Sequence, residues 1–101
     1  MVHKLKGIYY NGMEERVVWL DGKKLDPEPS QKVMNHSPDG FNWGYCGSGP
    51  AQLALAITMV VKPKAERGAY QVLKRNIIAY IAQGKDFDIE FDDKDAFEEK
   101  G

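Results

Sequence analysis

The segment from Asn35 to Pro50 holds most of the residues that could do chemistry. Its aromatic side chains, Phe41, Trp43 and Tyr45, are interspersed with glycines, and Gly47-Ser48-Gly49 stands directly before Pro50. Glycines let a backbone approach a ligand closely or take positive φ. The first turn of a helix presents unpaired N–H groups at the positive end of its dipole. A loop of this kind before a helix can therefore hold a phosphate or a carboxylate.

This loop predicts a binding site for a small anionic, nucleotide-like molecule. A flat ring would stack on Trp43 or Tyr45, the backbone N–H groups near Ser48 would hold a phosphate, and cations from a later helix would help to neutralise it. The predicted ligand-binding residues are His36, Phe41, Trp43, Tyr45, Gly47, Ser48, Gly49 and Gln52. A purely structural turn explains the same pattern if Trp43 and Tyr45 pack inward, so both interpretations stay open.

The same segment resembles the signature of a family of small bacterial and bacteriophage proteins that form a domain of unknown function. The resemblance rests on Asn35-His36-Ser37-Pro38, on Phe41-x-Trp43-Gly44-Tyr45 and on Gly47-Ser48-Gly49-Pro50-Ala51-Gln52-Leu53-Ala54-Leu55-Ala56. The family has glycine where this chain has Cys46, which argues against chemistry at that cysteine. The resemblance implies no established activity. It suggests a phage or mobile-element setting, in which the ligand would be a nucleotide signal of host immunity.

Two catalytic alternatives are weaker. A nucleophile, Cys46 or Ser48, could act with His36 and Asp39, but the serine lacks the glycine spacing of a nucleophile elbow. Two histidines and one cysteine cannot assemble a standard zinc set, and the alternating acids from Asp86 to Asp92 lack the central glycine of a calcium loop. The sequence therefore favours a binding protein without metal or cofactor over a small hydrolase.

Charge is distributed unevenly along the chain. Residues 1–85 carry 12 basic and 7 acidic side chains, whereas residues 86–101 carry 2 and 8, so the net charge of −1 divides into +5 and −6. The acidic segment suggests a second function, that of an interaction module or inhibitor that captures a basic host protein. The slightly negative net charge of the whole chain argues against nucleic acid as a partner, since proteins dedicated to binding nucleic acids are usually basic. Homo-oligomerisation stays open.

Location follows from what the sequence lacks. The apolar run from Ala51 to Val61 is shorter than the ~20 residues that cross a bilayer, and the N-terminus has no apolar signal region. A lone cysteine suits a reducing compartment. We expect a cytoplasmic protein.

Strands are predicted at both ends of the chain. Leu5–Tyr10 and Arg16–Leu20 are rich in β-branched and aromatic residues, with Asn11-Gly12 as a turn between them. Asp21-Gly22 predicts a type I′ turn that folds the second strand onto Lys23–Leu25. Near the C-terminus, Phe87, Ile89 and Phe91 alternate with acids, which predicts a strand with one apolar and one acidic face.

Two helices are predicted in between. The first begins near Pro50, with Gly49 as its N-cap and Gln52 reaching back to the cap, and it ends before Pro63. The second covers Glu66–Gln83, along a stripe of Tyr70, Leu73, Ile77 and Ile81, and Gly84 terminates it. A helical turn with Phe97 follows at Lys94–Lys100. Residues 1–101 therefore read as one α+β domain, a small antiparallel sheet packed against two helices in two layers.

Overall fold

The computed structural model describes residues 1–10 and 15–99, and within them it shows an α+β fold with an antiparallel sheet, which confirms the predicted class. The strands are β1 (Val2–Tyr10), β2 (Glu15–Leu20), β3 (Lys23–Lys24) and β4 (Phe87–Asp92), in the order β3-β2-β1-β4. The helices are α1 (Glu28–Val33), α2 (Ser48–Val61), α3 (Ala69–Asn76) and α4 (Asp93–Ala96), with a 3-10 helix at Ile78–Tyr80.

The hairpin between β2 and β3 forms as predicted. Asp21 and Gly22 have φ values of 52° and 81°, and positive φ at both central residues defines the type I′ turn. The turn pairs Leu20 with Lys23 and Trp19 with Lys24. Strand β3 ends at Lys24, and a last cross-strand hydrogen bond, from the Leu25 N–H to the Val18 carbonyl at 2.8 Å, comes just before Asp26-Pro27. The predicted Asn11-Gly12 turn lies outside the described residues.

Period-two alternation divides the sheet into two faces. In β1, His3, Leu5 and Gly7 are buried while Lys4 and Lys6 are exposed. In β4, Phe87 and Phe91 are buried while the acids between them face solvent, as predicted. Gly7 has a packing role, because a side chain there would collide with the ring of Phe87. The helices and the Asn35–Pro50 segment cover the apolar face, and among the described residues the opposite face carries exposed side chains such as Lys4, Lys6 and Glu90.

Helix α2 is the central element of the helical layer. It is buried from Gly49 to Thr58. It begins at Ser48 rather than near Pro50, and its N-cap is Gly47 rather than Gly49. Pro50 is the third residue of the helix, and it fits there because the first four N–H groups of a helix have no intrahelical acceptor. The helix ends at Val61, before Pro63, as predicted.

The sequence prediction missed α1. The N-cap of this helix is Pro27, and one residue earlier the Asp26 Oδ1 atom accepts a hydrogen bond from the Glu28 N–H at 2.9 Å. Pro27 and Pro29 lie at the helix start, where a missing N–H costs nothing. The segment that stops the β pairing therefore also starts a helix. Its buried Ser30 faces α2.

The second predicted helix, Glu66–Gln83, is wrong in both bounds. Helix α3 covers Ala69–Asn76, and the chain leaves helical geometry at Ile77, with φ −122° and ψ −60°. The Ile78 carbonyl accepts from the Gly44 N–H at 3.0 Å, so the Gly-rich loop takes an acceptor that a continuous helix would use. Gly84 has positive φ, 75°, as predicted for a terminator, but it follows an irregular segment.

The C-terminal helical turn is real but shorter than Lys94–Lys100, since α4 ends at Ala96. The Asp92 side chain caps it by accepting from the Lys94 N–H. The Asn76 amide Nδ2 donates to the Ala96 and Glu98 carbonyls at 3.0 and 2.7 Å, which ties α4 to the end of α3. No helix in the described ranges is both long enough and apolar enough for a bilayer crossing.

Candidate functional site

Trp43, the predicted stacking residue, lies in the core. Its side chain has 0% relative exposure. Its ring contacts Tyr9 and Phe87 at centroid distances of 4.8 and 4.7 Å, and Nε1 donates to the Lys85 carbonyl at 2.9 Å. Phe41 is also buried. These two rings therefore join the sheet to the loop, and neither offers a face to a ligand.

Gln52, predicted to reach back to its own helix cap, instead ties three segments together. Oε1 accepts from the N–H groups of His36 and Ser37 at 2.7 and 2.9 Å. Nε2 donates to Ser30 Oγ at 2.9 Å and to the Met34 carbonyl at 3.2 Å. The side chain is fully buried, and all four of its hydrogen-bonding positions are used. Its role is to hold α1 and the following loop against α2.

His36 has a partner in the helical layer. Its Nε2 lies 2.8 Å from the hydroxyl of Tyr70 on α3, and the two rings are 5.5 Å apart. The Tyr70 hydroxyl also approaches the Met34 sulfur at 3.6 Å. His36 is thus engaged with α3, whereas Ser48, its suggested catalytic partner, is exposed at the start of α2.

The glycines of the loop have packing roles. Gly44 has φ +88°, and a Cβ there would lie 2.5 Å from the Gln83 backbone. A Cβ on Gly47 or Gly49 would lie 2.5 Å from the Tyr45 ring or from the Asn42 side chain. Tyr45 is half-buried against this turn, while Cys46 and Ser48 are exposed. The start of α2 has no side-chain cap among the described residues, so anion binding at Ser48 stays a prediction.

Asn42 completes the link between loop and sheet. Its Oδ1 accepts from the Tyr9 hydroxyl and from the Trp43 N–H, both at 2.9 Å. Burial raises the pKa of Tyr9 above its usual value. The Arg16 Nε donates to the Phe41 carbonyl. Strands β1 and β2, which are distant in sequence, are therefore anchored to the Asn35–Pro50 segment. This anchoring gives the aromatic and polar residues of the segment a structural role.

A second aromatic position, which the sequence prediction missed, lies on the outer face of the sheet. Trp19 on β2 is half-buried, and its cross-strand partners are Lys6 on β1 and Lys24 on β3. The Lys6 ammonium lies 6.0 Å from the centre of the Trp19 ring. Lys6 in turn pairs with Asp88 on β4. One row therefore crosses all four strands, in the order Lys24, Trp19, Lys6 and Asp88; we call it the Trp19 row.

A surface groove of about 320 Å³ lies beside three members of this row, Trp19, Lys6 and Asp88, and is also lined by Lys4 and Gly22. The signal for it was present in the sequence. Trp19 stands between Val18 and Leu20, and both neighbours face the core, so period two places the tryptophan outside. The two-residue turn at Asp21-Gly22 then puts Lys24 directly opposite.

Polar contacts at the end of the sheet hold the N-terminus against the Asp21 turn and against the start of α4. His3 Nδ1 lies 2.7 Å from Asp21 Oδ2, and the Met1 amino group lies 3.0 Å from Asp93 Oδ1. The hydrogen bond from His3, and then that from the Lys4 N–H, lowers the pKa of Asp21. The Met1 amino group lowers the pKa of Asp93. Across the described ranges, no three His, Cys, Asp or Glu side chains cluster closely enough to hold a metal ion.

These features define a small α+β domain with an aromatic–basic row on the uncovered face of its sheet. Residues 10–99 match the profile of a family of unknown function (DUF6166). The chain belongs to that family, which confirms the resemblance to a domain of unknown function. Comparison with curated proteins finds no match, and neither does comparison with solved structures.

Proposed function

We propose that this protein binds a small anionic ligand with a flat ring, such as a nucleotide, at the Trp19 row. The observation that supports this most directly is the half-buried tryptophan between two lysines on an uncovered sheet face. The class of function expected from the sequence is kept, but the stacking residue changes from Trp43 to Trp19. The change is needed because Trp43 has no exposed face.

The residues of the row supply complementary interactions. Stacking of a base on an aromatic side chain contributes about 1–3 kcal/mol. Lys6 and Lys24 stand opposite Trp19 on the two neighbouring strands, and Lys4 and Lys6 line the groove. A phosphate attached to the stacked ring would therefore have a lysine on whichever side of Trp19 it takes. Asp88, at the far end of the row, can accept a hydrogen bond from a ring N–H or an exocyclic amine.

The charges of β4 favour a small ligand over a nucleic acid. Asp88 and Glu90 are exposed on the same face and stand opposite Lys6 and Lys4. A strand of nucleic acid that crossed the sheet would place phosphates against these carboxylates, and like charges at close range repel. A single phosphate group can stay on the β2–β3 side and avoid them.

The biological version of the proposal is sequestration. A protein that binds a nucleotide without consuming it lowers the free concentration of that nucleotide in proportion to its own amount. In a phage or mobile-element setting, the ligand would be a nucleotide signal of host immunity. This step rests on the resemblance noted above rather than on geometry.

The test separates the ring from the phosphate. Nucleotides and cyclic dinucleotides are screened by thermal shift, and adenosine 5′-monophosphate is then compared with adenosine and with ribose 5-phosphate by calorimetry. We expect the nucleotide to bind at least tenfold more tightly than either fragment, since only it uses both interactions. Trp19→Leu should lower that affinity about tenfold or more, in line with the loss of stacking.

The controls distinguish the two candidate sites. Lys64→Gln removes an exposed lysine between α2 and α3 and should leave binding unchanged, whereas Lys6→Gln and Lys24→Gln should weaken it. Ser48→Asp should also leave it unchanged. Loss of binding in Ser48→Asp with full binding in Trp19→Leu would return the site to the Gly-rich loop. No binding by any nucleotide in the panel would refute the proposal.

A further inference from the structure

The helical layer exposes apolar side chains on one side of α1 and α2. Val33 at the end of α1 is 64% exposed and Val60 near the end of α2 is 61% exposed, and Met34 is exposed between α1 and the loop. Single exposed apolar residues need no explanation, but a contiguous group marks an interaction site. These residues flank Met59, which is itself half-buried.

Two grooves meet at Met59. The first, of about 190 Å³, lies toward α3 and is lined by apolar side chains that include Met34, Leu55 and Tyr70. The second, of about 300 Å³, lies toward the start of α1 and includes Leu25, Pro29 and Val60. Because both grooves share Met59, they form one continuous surface, which we call the Met59 surface.

The two ends of the Met59 surface carry opposite charges. Lys62 and Arg67 line the first groove beside one acid, Glu66. Asp26 lines the second groove. The basic end and the acidic end are therefore separated by the apolar residues around Met59.

We infer that the Met59 surface binds a second copy of this chain, related by a two-fold axis through Met59. In a two-fold contact the same patch meets itself in reverse, so each residue at one end contacts the residue at the other end of the partner. The Arg67 end of one subunit then meets the Asp26 end of the other. Val33 and Val60 become buried on both subunits. This two-fold contact therefore pairs opposite charges and also buries the exposed apolar side chains.

The experiment measures mass against concentration. Sedimentation equilibrium from 1 to 300 µM should show a transition from the 11.4 kDa monomer to twice that mass. Val60→Lys should raise the dimer dissociation constant at least tenfold, because it places a charge in the apolar centre. Tyr80→Lys is the matched control: Tyr80 is 83% exposed and lines neither groove, so the dimer should be unchanged.

A charge exchange tests the two-fold arrangement. Arg67→Asp and Asp26→Arg should each weaken the dimer, and the double variant should recover most of the affinity, since the exchanged charges meet again across the axis. Thermal melting of each variant checks that the loss of the hydrogen bond from the Glu28 N–H to Asp26 leaves α1 folded. A monomer at 300 µM would overturn the inference. A dimer that is insensitive to Val60→Lys, or a double variant without recovery, would also overturn it.

Discussion

Replacing Gln52 with leucine should lower the free energy of unfolding by about 3 kcal/mol, although the two side chains have similar volumes. Gln52 is fully buried and makes four hydrogen bonds. After the substitution the Ser37 N–H loses its acceptor, and a buried unsatisfied group costs about 1–3 kcal/mol. The other three partners keep a second hydrogen bond within α1 and its loop, such as that from Ser30 Oγ to the Pro27 carbonyl. Their loss is smaller, about 0.5 kcal/mol each.

Urea denaturation at 25 °C, followed by circular dichroism, measures the change. Gln83→Leu is the matched control: Gln83 is exposed, and surface substitutions usually change stability by less than about 0.5 kcal/mol. Amide hydrogen exchange provides a local readout, because the Ser37 N–H should lose protection before α2 does. A loss below about 1 kcal/mol for Gln52→Leu would refute the assignment of Gln52 as the residue that holds α1 and its loop in place.

Two further predictions concern the turns and the acid response of the fold. Gly44→Ala should destabilise by about 2 kcal/mol more than Gly22→Ala in the same denaturation assay, because both glycines have positive φ but only Gly44 has backbone within 2.5 Å of the added Cβ; equal losses would contradict the packing argument. The folded protein lowers the pKa of Asp21 below its usual value of 3.8. Such a carboxylate stabilises the fold only while it is ionised, so the free energy of unfolding should fall as the pH drops through this lowered pKa. Asp21→Asn should flatten that part of the pH profile, and an unchanged profile would show that the pairing with His3 contributes nothing.

Local patterns predicted the sheet well because its decisive signals lie close together in the chain. The alternation in Phe87–Asp92 determines which side faces the core, and the Asp21-Gly22 turn determines the register of β2 with β3 without any long-range information. Helix α2 was also predictable, since its apolar run is bounded by glycine and proline. Its exact start was not, because Gly47 and Gly49 are equally acceptable caps.

The errors arise where a distant partner decides the outcome. Helix α3 breaks at Ile77 next to an acceptor taken by Gly44, more than thirty positions away. Gln52 has a side chain suited to a capping box, but buried partners on α1 and its loop compete for it. The aromatic loop suggested a ligand site because composition cannot distinguish a ring that lines a cavity from one that fills the core. Trp43 fills the core, whereas Trp19, in an unremarkable strand, is the tryptophan that meets solvent.

The uneven charge of the sequence has a geometric consequence for the proposed site. Strand β4 carries three of the eight acids of the acidic segment and pairs with β1, so Asp88 and Glu90 stand opposite Lys6 and Lys4. Cross-strand pairs of opposite charge contribute about 0.2–1 kcal/mol each, and they reduce the net charge on this side of the sheet. On the other side of Trp19 stands Lys24 of β3. The Trp19 row is therefore polarised, from basic at β3 to acidic at β4.

A nucleotide stacked on Trp19 would direct its phosphate toward Lys24 and the donor groups of its base toward Asp88. Lys24→Gln should accordingly weaken binding of adenosine 5′-monophosphate more than Lys6→Gln does, and the reverse order would contradict this orientation.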